Sequence, residues 1–117
     1  MLSGSIVHRR MTESEFEQLA DETLAALERA FEQAAPQADV QHKGGGVLEI
    51  EFDDGSKIVV NRHAPAREIW VAARSGGFHF RREGAEWRER REGTELFAAL
   101  SRLASEQAGA PIALVPG

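Results

Sequence analysis

The most constraining feature of this chain is a run of short apolar-polar alternations between Gly44 and Glu89, broken every few residues by turn-forming residues. VLEIEF sets Val47, Glu49 and Glu51 against Leu48, Ile50 and Phe52, and Asp53-Asp54-Gly55-Ser56 follows with Asp-Gly at its centre. A period of two with a turn of this kind predicts a β-hairpin. KIVVNR continues, HAPA connects, and EIWVAA, FHFRR and EWRER complete the series with turns at Ser75-Gly76-Gly77 and Glu83-Gly84. Connections this short join antiparallel neighbours, so the middle of the chain is read as a meander of five or more strands.

Helical patterns flank the meander. In TESEFEQLADETLAALERAFEQAA, Thr12 or Ser14 supplies the cap, and Phe16, Leu19, Ala20, Thr23, Leu24, Leu27 and Phe31 fall on one face. That spacing predicts an amphipathic helix of about five turns, which Pro36 ends. At the other end Thr94 is read as the cap of ELFAALSRLASEQA, with Leu96, Phe97, Leu100, Leu103 and Ala104 on one face and Gly109 closing it. Two apolar stripes need cover, and laying both helices on one sheet face supplies it. The expected fold is therefore α+β, a two-layer α-β-sandwich in one domain over residues 11–117. Residues 1–10, ahead of a second methionine at Met11, read as an extension.

That arrangement leaves the other sheet face open. Ile58, Val60, Ile69 and Val71 point to the core, so Val59, Asn61, Trp70 and His79 point away from it. A register slip of one residue would invert them all. An outward tryptophan beside an asparagine has the mixed character of an interface, and the reading makes Trp70 substantially exposed in the free protein. Trp87, on the last short strand, reads as cover for a core edge.

Charge narrows the function. The net charge of -5 is mild, but eight acids (Glu13, Glu15, Glu17, Asp21, Glu22, Glu28, Glu32 and Asp39) meet one base, Arg29, between Met11 and Asp39. Beyond Asp39 the charges balance. At about 100° per residue, Glu17, Asp21, Glu28 and Glu32 lie within roughly 60° of one another, beside the apolar stripe. Such a column attracts hard cations, docks a basic protein surface, or simply solvates the helix. A nucleic-acid partner would ask for a basic patch instead. There are no cysteines, which removes disulfides, thiolate metal sites and cysteine nucleophiles. No apolar run approaches the roughly 20 residues of a membrane span, and no secretory signal is read, so a cytoplasmic protein is expected. The four histidines lack metal-box spacing, Gly44-Gly45-Gly46 precedes a strand rather than a helix, and no nucleophile elbow occurs. The chain is not expected to be an enzyme; a ferroxidase or storage protein would need a buried di-iron site that the spacing does not offer.

The stretch GGGVLEIEFDDGSKIVVNRHAPAREIWVAARSGGFHF, from Gly44 to Phe80, together with SEFEQLAD on the first helix, closely resembles the bacterial frataxin homologues, the CyaY family. The resemblance covers roughly residues 11–115 and includes the order of elements. It implies an iron-binding accessory protein of iron–sulfur cluster assembly that contacts a cysteine desulfurase and a scaffold protein. It further implies weak binding of Fe2+, Fe3+ and other divalent cations along an acidic ridge, to which Glu13, Glu15, Asp21, Glu28, Glu32 and Asp39 correspond. Glu17 and Glu22 join them as candidate ligands on the same helix. Where the family carries a run of aspartates this chain reads QAAPQADVQ, with Asp39 alone retained, so fewer or weaker sites are expected. The family's partner-facing sheet surface maps to Asn61 and Trp70. A monomer is expected, with metal-dependent oligomers allowed.

Overall fold

In a computed structural model that describes residues 11–117, the chain begins with helix α1 (Glu13–Ala34). Six strands follow: β1 (Asp39–Lys43), β2 (Val47–Glu51), β3 (Lys57–His63), β4 (Glu68–Ala73), β5 (Gly76–Glu83) and β6 (Glu86–Glu89). Helix α2 (Leu96–Ala108) closes the fold. The strands pair antiparallel in sequence order, a meander without crossovers, and both helices pack on one face of it. The expected α-β-sandwich is the observed one. The extension expected over residues 1–10 lies outside the described residues.

Local chemistry explains the ends of α1. Thr12 accepts from the Glu15 amide at 3.1 Å while Glu15 returns the bond to the Thr12 amide at 2.9 Å, a reciprocal capping box. The second helix corrects the reading of its start: Glu95, not Thr94, is the N-cap, its carboxylate accepting from the amides of Phe97 and Ala98. Thr94 instead gives its carbonyl to the Glu89 amide. Gly109 ends α2 with φ of 68°, a left-handed conformation suited to glycine.

Strand β1 is not visible in the sequence pattern. DVQHK is nearly all exposed, because an edge strand with a single apolar residue, Val40, shows no alternation to read. It pairs with β2 from Asp39↔Glu51 to Lys43↔Val47. Between them Gly46 turns the chain at φ of 78°, and a Cβ there would collide with the Arg62 side chain. Arg62 also donates its amide to the Gly46 carbonyl.

The register is the one the alternation implies. Val60 pairs Val71, Asn61 pairs Trp70, and Trp70 pairs His79. Phe16, Leu24, Leu27 and Phe31 from α1, Leu48, Ile50, Ile58, Val60, Ile69 and Phe80 from the sheet, and Leu96, Leu100 and Leu103 from α2 are all fully buried in one cluster. At roughly 25 cal/mol per Å² of apolar surface removed from water, that cluster is the main source of stability. Trp87 covers the core edge as expected: it is buried, meets Phe16 edge-on at 6.0 Å, and donates its indole N–H to the Thr23 hydroxyl at 2.9 Å.

Candidate functional site: an acidic helix and an open sheet face

Helix α1 turns its apolar side to the sheet and leaves its carboxylates along one flank. The structure gives several of them partners. Asp21 pairs with Arg62 of β3. Glu28 lies 3.4 Å from His42 of β1, which alternation places on the helix side of the sheet. Glu15 is held by the capping box, and Glu22 accepts a long 3.5 Å bond from Gln18. Glu13, Glu17 and Glu32 have no ion-pair partner among the described residues. Asp21 and Glu32 are exposed, whereas Glu17 and Glu28 are partly covered, so the column is less uniformly open than helical spacing implies. Asp39 stands apart. It begins β1 opposite Glu51 and shares the open sheet face with Gln41, whose amide donates to it at 3.1 Å.

Among the described residues no three His, Asp or Glu side chains converge into a cage for an ion. The donors along α1 are hard carboxylate oxygens in shallow, wet positions, with His42 the one nitrogen beside them. That donor set fits loosely held, largely hydrated cations rather than a resident metal.

On the other side of the sheet, Asn61, Trp70 and His79 form one row across β3, β4 and β5, with Val59 two residues along β3 from Asn61. All four are partly exposed. The expectation of a substantially exposed Trp70 needs correction: the ring does stand on the open face, but both of its sides are covered. His63 stacks at 3.7 Å between ring centroids and His79 at 4.4 Å, each within 8° of parallel. Since β3 and β5 flank β4, the two imidazoles cover opposite faces of the indole. Its N–H donates to Glu68 at 2.9 Å.

Glu68 is a residue of this face that the sequence pattern does not single out. It lies on the polar face of β4 yet is only 5% exposed, roofed by the Trp70 stack. Its carboxylate serves the indole, lies 3.8 Å from His79 Nδ1, and lies 3.6 Å from Arg90 Nε. The available signal is two-residue spacing, Glu68 to Trp70, which puts a carboxylate directly beneath an outward indole. Around β6, Glu89 is likewise buried. Burial alone would raise its pKa, but the amides of Glu92 and Arg91 and the Arg91 guanidinium outweigh that and hold it below the usual carboxylate range.

An α-β-sandwich with an acidic first helix and an aromatic, polar open sheet face defines a known class. The Frataxin-like domain model matches residues 9–110, and the chain belongs to the frataxin family. Within it, the chain is similar to the iron-sulfur cluster assembly proteins CyaY of Dechloromonas aromatica and Cupriavidus metallidurans. The first is 56% identical over 104 residues, spanning 89% of this chain and 99% of the relative. The second is 51% identical over 107 residues, spanning 89% and 96%. Among solved structures, frataxin from Psychromonas ingrahamii superposes with a TM-score of 0.82 at 28% identity, covering 90% of this chain and 99% of that one. Trimeric yeast frataxin, solved in complex with ferrous iron, shares the fold with a TM-score of 0.62 at 24% identity, covering 92% and 99%.

Proposed function

We propose that this chain is an accessory protein of iron–sulfur cluster assembly that carries iron loosely on α1 and docks on the cysteine desulfurase and the scaffold. The observation that carries the reading is the flank of α1, where Glu13, Glu17 and Glu32 stand without ion-pair partners among the described residues. The helix also has no basic residue in its last turn. Membership of a family whose relatives are iron-sulfur cluster assembly proteins supports it. Fe2+ and Fe3+ are the cargo, and other divalent cations would compete at such oxygen sites. Glu13, Glu15, Glu17, Asp21, Glu22, Glu28, Glu32 and Asp39 are the proposed contacts. Because Asp39 lies round the sheet edge from α1, it would bind a separate ion or none held by the column. Val59, Asn61, Trp70 and His79 are the proposed partner contacts on the sheet.

The role is accessory rather than enzymatic, in the cytoplasm, by a monomer for which metal-dependent oligomers are allowed. No helix among the described residues is long and apolar enough to cross a membrane, which agrees with that location. Anaerobic Fe2+ titration followed by backbone NMR tests the cargo role. Resonances of residues 13–32 should shift and broaden at sub-millimolar metal, and an unresponsive helix would overturn it. The same acids also serve as a landing patch for a basic partner surface. Glu28→Lys with Glu32→Lys should weaken desulfurase binding in a salt-dependent way. Unchanged binding would remove the docking role from α1.

A further inference from the structure

One corner of the open sheet face, where β5 meets β6 and the segment after it, is rich in arginine. From Arg81 to Arg91 the chain reads RREGAEWRERR, five arginines against three glutamates. Alternation and pairing place Arg81, Arg88 and Arg90 on the side of the sheet that bears Trp70: Arg81 pairs Glu68 and Arg88 in register, and the Arg90 amide donates to the His79 carbonyl. Beside the Trp70 stack is a concavity of about 360 Å³ lined by Gly77, His79, Glu89, Arg90 and Arg91.

The two arginines of this concavity are held in place. Glu68 lies 3.6 Å from the Nε of Arg90, and Glu89 lies 3.4 Å from the Nε of Arg91. Both carboxylate side chains are 7% exposed, while the guanidinium side chains are 50% and 72% exposed. Buried acids therefore lie along the inner edges, as an ion pair to Arg90 and a hydrogen bond from Arg91. The terminal nitrogens of Arg90 have no partner among the described residues, and Arg91 makes only a long 3.4 Å bond from Nη2 to the Gly77 carbonyl. Arg81 has no ion pair among the described residues. Outward guanidinium edges oriented by buried carboxylates form a fork suited to a carboxylate.

We infer that this face receives an acidic segment of a partner protein, with a partner carboxylate seated between His79, Arg90 and Arg91. The inference rests on the reading of the Trp70 face as a partner surface and adds the chemistry of what binds there. Charge complementarity selects an anion, and two further features select a peptide over nucleic acid. Both faces of Trp70 are covered by imidazoles, so no base can stack on it. Glu83 and Glu86 are exposed among the arginines, which a continuous phosphate backbone would meet unfavourably. A peptide of spaced carboxylates avoids them. The chain would then present a negative helix to one surface and an arginine-rich corner of the sheet to another, which fixes its orientation between two partners of opposite charge.

The test uses the full chain and an octaglutamate peptide, with octalysine and an eight-nucleotide single-stranded DNA as comparators, followed by NMR at low salt. Octaglutamate should shift the Trp70 indole N–H and the amides of Gly77, His79, Arg90 and Arg91, and octalysine should not. Arg90→Gln with Arg91→Gln should weaken binding about fivefold or more, as loss of charge-assisted bonds requires. Arg81→Glu leaves both buried acids paired and should weaken it also, which keeps the test open if the double variant fails to fold. Absent shifts, or unchanged affinity in Arg81→Glu, would overturn the inference. Tighter binding of the DNA would overturn it in favour of a nucleic-acid surface. A negative peptide result, with Trp70→Ala still abolishing scaffold binding, would overturn the acidic chemistry while retaining the face as an interface.

Discussion

The two faces of this sheet are built from the same strands and solve different problems. On the helix side, Leu48, Ile50, Ile58, Val60, Ile69 and Phe80 are fully buried against two apolar stripes. On the open side, the one large apolar ring is Trp70, and its cover is polar: His63 and His79 on its faces, Glu68 beneath its edge. The first face is held by the area it removes from water. The second is held by a handful of specific contacts, so it can exchange them for contacts with another molecule at small cost to the fold.

If that division is right, equal truncations on the two sides should have unequal effects. Leu24, on α1, is fully buried in the shared core, and Leu24→Ala should destabilise by about 3 kcal/mol through lost transfer energy and a residual cavity. Urea unfolding measures it. Trp70→Ala removes a larger side chain, yet it should cost only about 1–2 kcal/mol, the size of lost aromatic contacts and one hydrogen bond. Binding to the scaffold should suffer far more than stability. A stability loss for Trp70→Ala equal to that of Leu24→Ala would break the comparison, because it would make the open face part of the core.

The legibility of the sequence follows the same division. Where burial is one-sided and apolar, as in VLEIEF and KIVVNR, alternation alone gives register, face and topology, and it puts Asn61, Trp70 and His79 in the one row that the strand pairing shows. Where polar residues hold the structure, pattern is silent. DVQHK has too little burial to mark β1. Glu95 caps α2 although glutamate is not a preferred N-cap residue, so Thr94 reads as the better candidate. Glu68 is buried beneath Trp70 of its own strand and beside His79 of β5 and Arg90 after β6, and the last two are distant in sequence. The column on α1 is legible as a column from helical spacing, but its contacts with Arg62 and His42 cross to other elements and cannot be read from spacing.

The smallest expected effect lies at the seam where helix layer and sheet meet. Asp54, in the turn between β2 and β3, accepts from the Ser56 hydroxyl at 2.6 Å and its amide at 2.9 Å, and pairs with Arg74 at 2.9 Å. Arg74 in turn gives its amide to Gln107, whose side-chain nitrogen reaches the Ser56 hydroxyl and the Lys57 carbonyl. Thus a polar latch, not apolar packing, ties the end of α2 to two turns. The Ser56 bonds, then Arg74, hold the Asp54 carboxyl at about 2, down from its ordinary 3.8. A carboxylate more acidic in the native state stabilises fully above 3.8, and that contribution fades as pH falls through about 2. Asp54→Asn should therefore melt below the parent at neutral pH, and the two melting curves should converge across that window. Glu49, lowered by its bond from Lys43, and Glu89 are common to both proteins and cancel in the difference. Melting temperatures separated by a constant interval from about pH 5 to about pH 2 would show that the latch does not depend on the Asp54 charge. The Gln107 bonds and the Arg74 bond to the Glu106 carbonyl would then join the layers at that end.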